Sequence, residues 1–116
     1  MKALGNKGED LAVTFLKKKG YRILTRNYKT FIGEVDIIAK DGETIVFVEV
    51  KTRANDSFGY PFESVTRRKK QKMRNLALLY LKKLGDDPPV RFDVLSIMCG
   101  NNNKKEIEHI VDAFEV

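Results

Sequence analysis

The run EVDIIAKDGETIVFVEVKTR, residues 34–53, constrains the fold more than any other part of the chain. Two apolar-rich segments, 34–40 and 43–51, flank Asp41-Gly42. That dipeptide is a strong hairpin signal, because both residues tolerate the positive φ of a tight turn. The apolar residues of the second segment mark a buried strand. Yet Glu49 and Lys51 stand two apart within it and so share a face of the sheet, as do Glu34 and Asp36. Register decides whether the two sets meet. A two-residue loop at Asp41-Gly42 sets Asp36 opposite Phe47 and Glu34 opposite Glu49, so that Asp36 is the diagonal neighbour of Glu49. A four-residue loop sets Asp36 directly opposite Glu49. Either even loop gathers Asp36, Glu49 and Lys51 on one face; an odd loop without a bulge separates them. The other face, with Val35, Ile37, Val46, Val48 and Val50, reads as core.

The rest of the chain supplies helices and further strands. Leu11, Ala12, Phe15 and Leu16 recur at helical spacing and predict a helix over 6–19, closed by Gly20 after three lysines. Residues 21–27 read as a short strand. A long helix is predicted over 64–84, with Met73, Leu76, Ala77, Tyr80 and Leu84 on one face, ended by Gly85 and DDPP. Residues 90–99 and 107–114 read as two more strands. The order α-β-β-β-α-β-β predicts an α/β fold with one mixed central β-sheet flanked by helices. No repeat or low-complexity linker interrupts it. The 116 residues, 42% of them hydrophobic, are expected to form one domain over 1–116, with a core that needs neither disulfide nor structural metal.

Composition removes several function classes. Cys99 is the single cysteine and His109 the single histidine, so an intramolecular disulfide and a histidine-rich, Cys₄ or Cys₂His₂ metal site are all excluded. A lone cysteine between Met98 and Gly100 reads as a small core residue. The absence of a disulfide fits a cytoplasmic location. Charges interrupt the N-terminal segment before an apolar stretch forms, so no signal peptide is expected. No apolar run approaches the roughly 20 residues of a membrane span, so no membrane partner is expected. The formal net charge of +6 attracts polyanions, nucleic acid among them.

Two acids side by side on a strand repel and resist desolvation, so they call for a cation. With histidine and cysteine sites excluded, that cation is hard: Mg²⁺ or Mn²⁺ bridging Asp36 and Glu49, with the Val50 carbonyl as a third oxygen. Lys51 would then orient or deprotonate a water, or neutralise charge growing on a phosphate. The alternative is an exposed Glu49–Lys51 pair on an edge strand with Asp36 solvated. Downstream, Arg67, Arg68, Lys69, Lys70, Lys72 and Arg74 crowd the first half of the second helix, where the dipole disfavours cations. Contact with backbone phosphates explains that placement; a solvated face is the alternative. Gln71 in the same run is a further candidate near the metal. Phe58, Tyr60 and Phe62 either stack on unpaired bases or pack on the core. Asp93 reads as structural, and His109 as a polar residue of the last strand.

GEVDII at 33–38, followed by VFVEVKTR, resembles the YraN-like family of predicted endonucleases, distant relatives of archaeal Holliday-junction resolvases in the PD-(D/E)xK nuclease superfamily. The match takes in GNKGEDLA at 5–12, Tyr21, Asn27, FGYP at 58–61, the basic helix entry, RFDVL at 91–95 and HIVDAF at 109–114. It covers essentially the whole chain. The resemblance implies a restriction-endonuclease-like core and metal-dependent hydrolysis of DNA, including branched or structured DNA. It implies Asp36 and Glu49 as metal ligands, Lys51 as the catalytic lysine, and Glu9 as an acid that helps complete the site. From the residues alone, Asn6-x-x-Glu9 reads as a capping box at the start of the first helix. Glu34 is either a second acid near the metal or a hydrated edge residue. A non-catalytic nucleic-acid-binding module on a nuclease-like scaffold is the alternative function. Backbone-directed contacts admit RNA as well as DNA. Resolving a four-way junction takes two active sites, hence a homodimer.

Overall fold

The computed structural model describes residues 3–53, 67–99 and 105–113. Helix α1 (Ala3–Lys18) carries Lys17 and Lys18 in its last turn, where they complement the dipole. It ends in a Schellman motif. Gly20, at φ +92°, donates to the Lys17 carbonyl at 3.0 Å, and Tyr21 donates to Leu16 at 3.0 Å. Helix α2 (Arg67–Leu84) buries Met73, Leu76 and Ala77, as their spacing predicts. Leu84, expected on the same face, is exposed at the helix end.

Five strands form one sheet in the order β1 (Arg22–Lys29), β2 (Glu34–Asp41), β3 (Thr44–Arg53), β4 (Val90–Cys99) and β5 (Lys105–Ile110). Neighbours are antiparallel except β3 and β4, which run parallel, with α2 between them in the chain. The expected α/β order and mixed sheet are therefore present. Cores lie on both faces. Ala12, Val13 and Leu16 of α1 cluster with Ile37, Ala39, Val46, Val48, Leu95 and Ile97. Met73 and Ala77 of α2 cluster with Ile38, Ile45, Phe47, Phe92 and Val94. The hairpin thus has core on each side, not on one. Val35 belongs to the α2 cluster, apart from Ile37. Among the described residues, no helix is long and apolar enough to cross a membrane.

Several boundaries differ from the sequence expectation, β1 running on to Lys29 and β3 to Arg53 among them, and three change how residues meet. Asp41 pairs with Thr44, so the turn is Gly42-Glu43, not Asp41-Gly42. Gly42 takes the positive φ, +61°, at the first turn position. Asp41 stays in the strand, with its carboxylate held by Arg91 Nη1 at 3.1 Å. Strand β5 stops at Ile110, because Asp112 turns the chain at φ +54° and donates its amide to Asp93 Oδ1 at 2.9 Å. Helix α1 already runs at Ala3, so Asn6 lies inside it and the capping-box reading of Asn6 and Glu9 fails. Phe58, Tyr60, Phe62, the expected first turn of the second helix and the side chain of Cys99 lie outside the described residues.

Candidate active site

The site forms where two strands part. Pairing of β2 with β3 runs from Asp41↔Thr44 to Ile37↔Val48 and stops, whereas β3 stays paired with β4 as far as Arg53↔Met98. Continued by one residue, the register sets Asp36 opposite Glu49, the four-residue-loop alternative of the sequence reading. At the fork the Val50 N–H goes to a side chain: Asp36 Oδ2 accepts it at 2.7 Å. Glu49 is only 6% exposed and lies beside Val94 on the third of five strands, so the edge-strand alternative is excluded.

Burial is the main reason the Asp36 carboxyl is pushed up to about 6; the Val50 amide opposes the shift, while Glu49 and the charge of Glu9 add to it. Two ammonium groups compensate Glu49. Lys51 Nζ lies 3.3 Å from Glu49 Oε2, and Lys69 Nζ ion-pairs with the same oxygen. Burial, with Lys69 alongside, lowers the Lys51 pKa despite Glu49. For Lys69 burial works against the charge, but the hydrogen bond and charge of Glu49, with Lys51 and the charge of Asp36, together outweigh it and raise the pKa. One face of the fork therefore holds Asp36, Glu49, Lys51 and Lys69 together. The sequence marks Lys69 only as one of six cations suited to phosphate contact. Its helical position in α2 turns it inward, while Arg67, Arg68, Lys72, Arg74 and Gln71 are exposed and Lys70 is half-buried.

Glu9 comes from α1. Its Oε1 accepts from Arg26 Nε and from Asn27 Nδ2, each at 3.0 Å, and Arg26 Nη2 also reaches Asp10 at 2.6 Å. Gly8 lets the helix come this close: a Cβ there would lie 2.2 Å from Thr52 Oγ1 and 3.3 Å from Thr52 Cβ. Glu34 is exposed and lines a cleft of about 530 Å³ between the β1–β2 turn and α2, together with Gly33, Arg68, Lys69 and Lys72.

The donor chemistry fits a hard divalent cation. Both candidate ligands are carboxylates, and burial beside a second carboxylate raises the pKa of one of them, Asp36. Among the described residues, no set of three His, Cys, Asp or Glu side chains converges on one point. A bound ion would therefore need further oxygens from backbone, water or phosphate.

A second polar network lies away from the fork. Asp93 is fully buried and accepts from Arg91 Nε at 2.9 Å, Arg91 Nη2 at 3.0 Å and the Asp112 amide. His109 Nε2 is 2.7 Å from Asp93 Oδ2, and its Nδ1 is 2.7 Å from Lys19 Nζ. An ammonium only donates, so Nδ1 accepts and Nε2 carries the proton shared with Asp93. Burial would raise the Asp93 pKa, but His109, Arg91 and the Asp112 amide outweigh it and hold the carboxyl below its ordinary range. This assigns Asp93 and His109 to joining β4, β5 and α1.

Residues 8–97 match the model of the family described as "Uncharacterised protein family UPF0102". The chain belongs to UPF0102. This is the YraN-like family that the hairpin motif resembles. UPF0102 proteins similar to this chain include one from Thermodesulfovibrio yellowstonii, 52% identical over 96% of this chain and 95% of the relative. A second, from Geotalea uraniireducens, is 52% identical over 99% of this chain and 91% of the relative. A third, from Dictyoglomus thermophilum, is 44% identical over 97% and 98%. The UPF0102 match spans every residue of the fork, from Glu9 to Lys69.

Proposed function

We propose that this UPF0102 protein is a metal-dependent endonuclease that hydrolyses DNA phosphodiester bonds on a restriction-endonuclease-like core. The observation that carries the reading is the pairing of half-buried Asp36 with buried Glu49 at the β2–β3 fork, with Lys51 on the same face. Such a pair is unfavourable for folding, and metal-assisted phosphoryl chemistry gives it a use. Asp36, Glu49 and the Val50 carbonyl would hold Mg²⁺ or Mn²⁺, with Glu9 adding negative charge from α1. The bound ion would supply Lewis-acid stabilisation of charge on the phosphate.

The residues of the chain do the rest. Water adds to phosphorus as one P–O ester bond breaks, and a proton must leave the water. Lys51, with its pKa lowered by burial and by Lys69, is suited to handle that proton or to meet the growing phosphate charge. Arg67, Arg68, Lys72 and Arg74, exposed on α2, would hold flanking phosphates without reading bases.

The test is calorimetric titration of Mg²⁺ and Mn²⁺ into wild type and Asp36→Ala/Glu49→Ala. Cleavage would be assayed alongside on a four-way junction, a flap, single-stranded DNA and duplex. Metal binding and cutting by wild type alone, with both proteins folded, support the reading. Absence of metal binding by wild type even with DNA present overturns it. A non-catalytic nucleic-acid-binding module is the second reading, favoured by the neutralisation of Glu49 by Lys51 and Lys69. On that reading Asp36→Ala keeps or raises DNA affinity, and wild type cuts nothing.

A further inference from the structure

Phe31 is 93% exposed, far more than any other exposed large hydrophobic residue described; Leu78, the next, is 54% exposed. A single exposed apolar side chain is ordinary on a protein surface. Phe31 differs because of what holds it. It sits at the first position of the two-residue turn between β1 and β2, and that turn is cross-braced. Thr30 N–H donates to the Gly33 carbonyl at 2.8 Å, and Gly33 N–H returns to Thr30 O at 3.2 Å. The Thr30 hydroxyl accepts from Ile32 N–H at 3.1 Å and donates to the Gly33 carbonyl at 3.2 Å. The turn backbone is thus bonded to itself, and the ring stands out from a fixed base.

The position matters as much as the exposure. Gly33 and Glu34, immediately after the turn, form one wall of the cleft whose other wall is Arg68, Lys69 and Lys72 of α2. Lys69 also pairs with Glu49, so the cleft is continuous with the carboxylate fork. Asp36 follows Glu34 by two strand residues, about 7 Å along β2, and the turn adds roughly as much again. The exposed ring therefore stands roughly 10–15 Å from the carboxylates, about three to four base steps along one DNA strand. A flat apolar ring two residues before the Gly33 wall of a cleft that carries Arg68, Lys69 and Lys72, with the carboxylate fork beyond it, matches a DNA strand that leaves a duplex. Phosphates meet lysine and arginine, and the first unpaired base offers a π-face to the ring.

We propose that Phe31 recognises DNA structure by stacking on the unpaired base at a duplex–single-strand boundary, and that this contact sets the cut about three to four nucleotides from the boundary. The inference rests on the nuclease reading for the cut but not for the stacking. A forked duplex carrying 2-aminopurine at the boundary is titrated with full-length wild type, Phe31→Ala and Phe31→Trp in EDTA. Affinity for unforked duplex is measured in parallel, and circular dichroism confirms folding. Wild type should change the 2-aminopurine emission and prefer the fork. Phe31→Ala should lose the emission change and lower the fork-to-duplex affinity ratio by about 5- to 150-fold, the usual range for one base–aromatic stack. Phe31→Trp should restore both. Cleavage in Mg²⁺ or Mn²⁺ then maps the cut. If the folded Phe31→Ala variant keeps the ratio and the emission change, or loses fork and duplex affinity equally, the proposal is overturned. If the binding results hold but wild type cuts neither substrate, stacking stands and the nuclease reading fails.

Discussion

Replacing Asp36 by Asn should stabilise the protein while removing its proposed activity. In the folded chain the carboxyl titrates at about 6, against an ordinary value of 3.8. A pKa raised by folding means that ionisation works against the fold. Below about pH 4 the group is protonated in both folded and unfolded chains and contributes nothing. The penalty grows as pH rises through the interval up to about 6 and is full above it. Raised that far, the carboxyl opposes folding by ~3 kcal/mol once ionised. Asparagine keeps an oxygen to accept the Val50 amide and gains an N–H₂ that can face Glu49. It gives up the charge-assisted character of the 2.7 Å bond, about 1 kcal/mol. The net expectation is a gain of about 1–2 kcal/mol at pH ~8 and none at pH ~4. Urea unfolding in EDTA, followed by far-ultraviolet circular dichroism because the chain has no Trp, reads this directly. With a slope of ~1.5 kcal/mol/M, the midpoint should rise by roughly 1 M at the higher pH only. Divalent ion should invert the order: at a hundredfold its Kd it stabilises wild type by about 2.7 kcal/mol and leaves Asp36→Asn unmoved. A variant no more stable than wild type at pH ~8, or equally stabilised at both pH values, refutes the reasoning.

Three further variants probe the fork, the α1 contact and the Asp93 network. Lys69→Ala removes the ammonium that competes for Glu49 Oε2, so divalent-ion affinity measured by calorimetry should rise about tenfold. The salt slope of DNA binding by the same variant should fall by about 1. Gly8→Ala drives a methyl into Thr52 and should lower stability by about 1–3 kcal/mol in chemical denaturation, with cleavage reduced as Glu9 shifts. Asp93→Ala leaves Arg91 without its buried partner and should cost about 3–5 kcal/mol by the same assay. Because folding lowers the Asp93 pKa, its contribution is fully present above about pH 4 and is lost as pH falls below that, a loss absent from the variant's acid titration.

The alternation of charged and apolar residues carried the essential geometry. With a period of two, any even register brings Asp36, Glu49 and Lys51 to one face, so misplacing the turn by one residue changed which residues oppose and not which meet. Turn chemistry alone misled because Asp41 is a good turn residue locally but is held in the strand by Arg91, fifty positions away. The same limit applies to Glu9. Its spacing from Asn6 satisfies a capping box, and only the three-dimensional start of α1 shows that the spacing is incidental.

Other features were illegible because a linear sequence does not say which side of a helix faces a strand end. Six cations in eight residues read as one electrostatic patch, yet a helix distributes them around its axis, and Lys69 ion-pairs with Glu49 while Arg67, Arg68, Lys72 and Arg74 are exposed. A fold with core on both faces of its sheet also conceals its exposed positions. Phe31, between two strands, carries the same apolar signal as Phe47, which is 1% exposed. The distinguishing residue is its neighbour Thr30, whose hydroxyl ties the turn to itself and leaves the ring outside both cores. Among the described residues, Phe31 belongs to neither core and is 93% exposed, two residues before the Gly33 wall of the cleft. A ligand with a flat apolar face and a phosphate backbone would bury that ring while meeting the cations of α2, which is why the hairpin tip and the carboxylate fork are proposed as two ends of one DNA-binding surface.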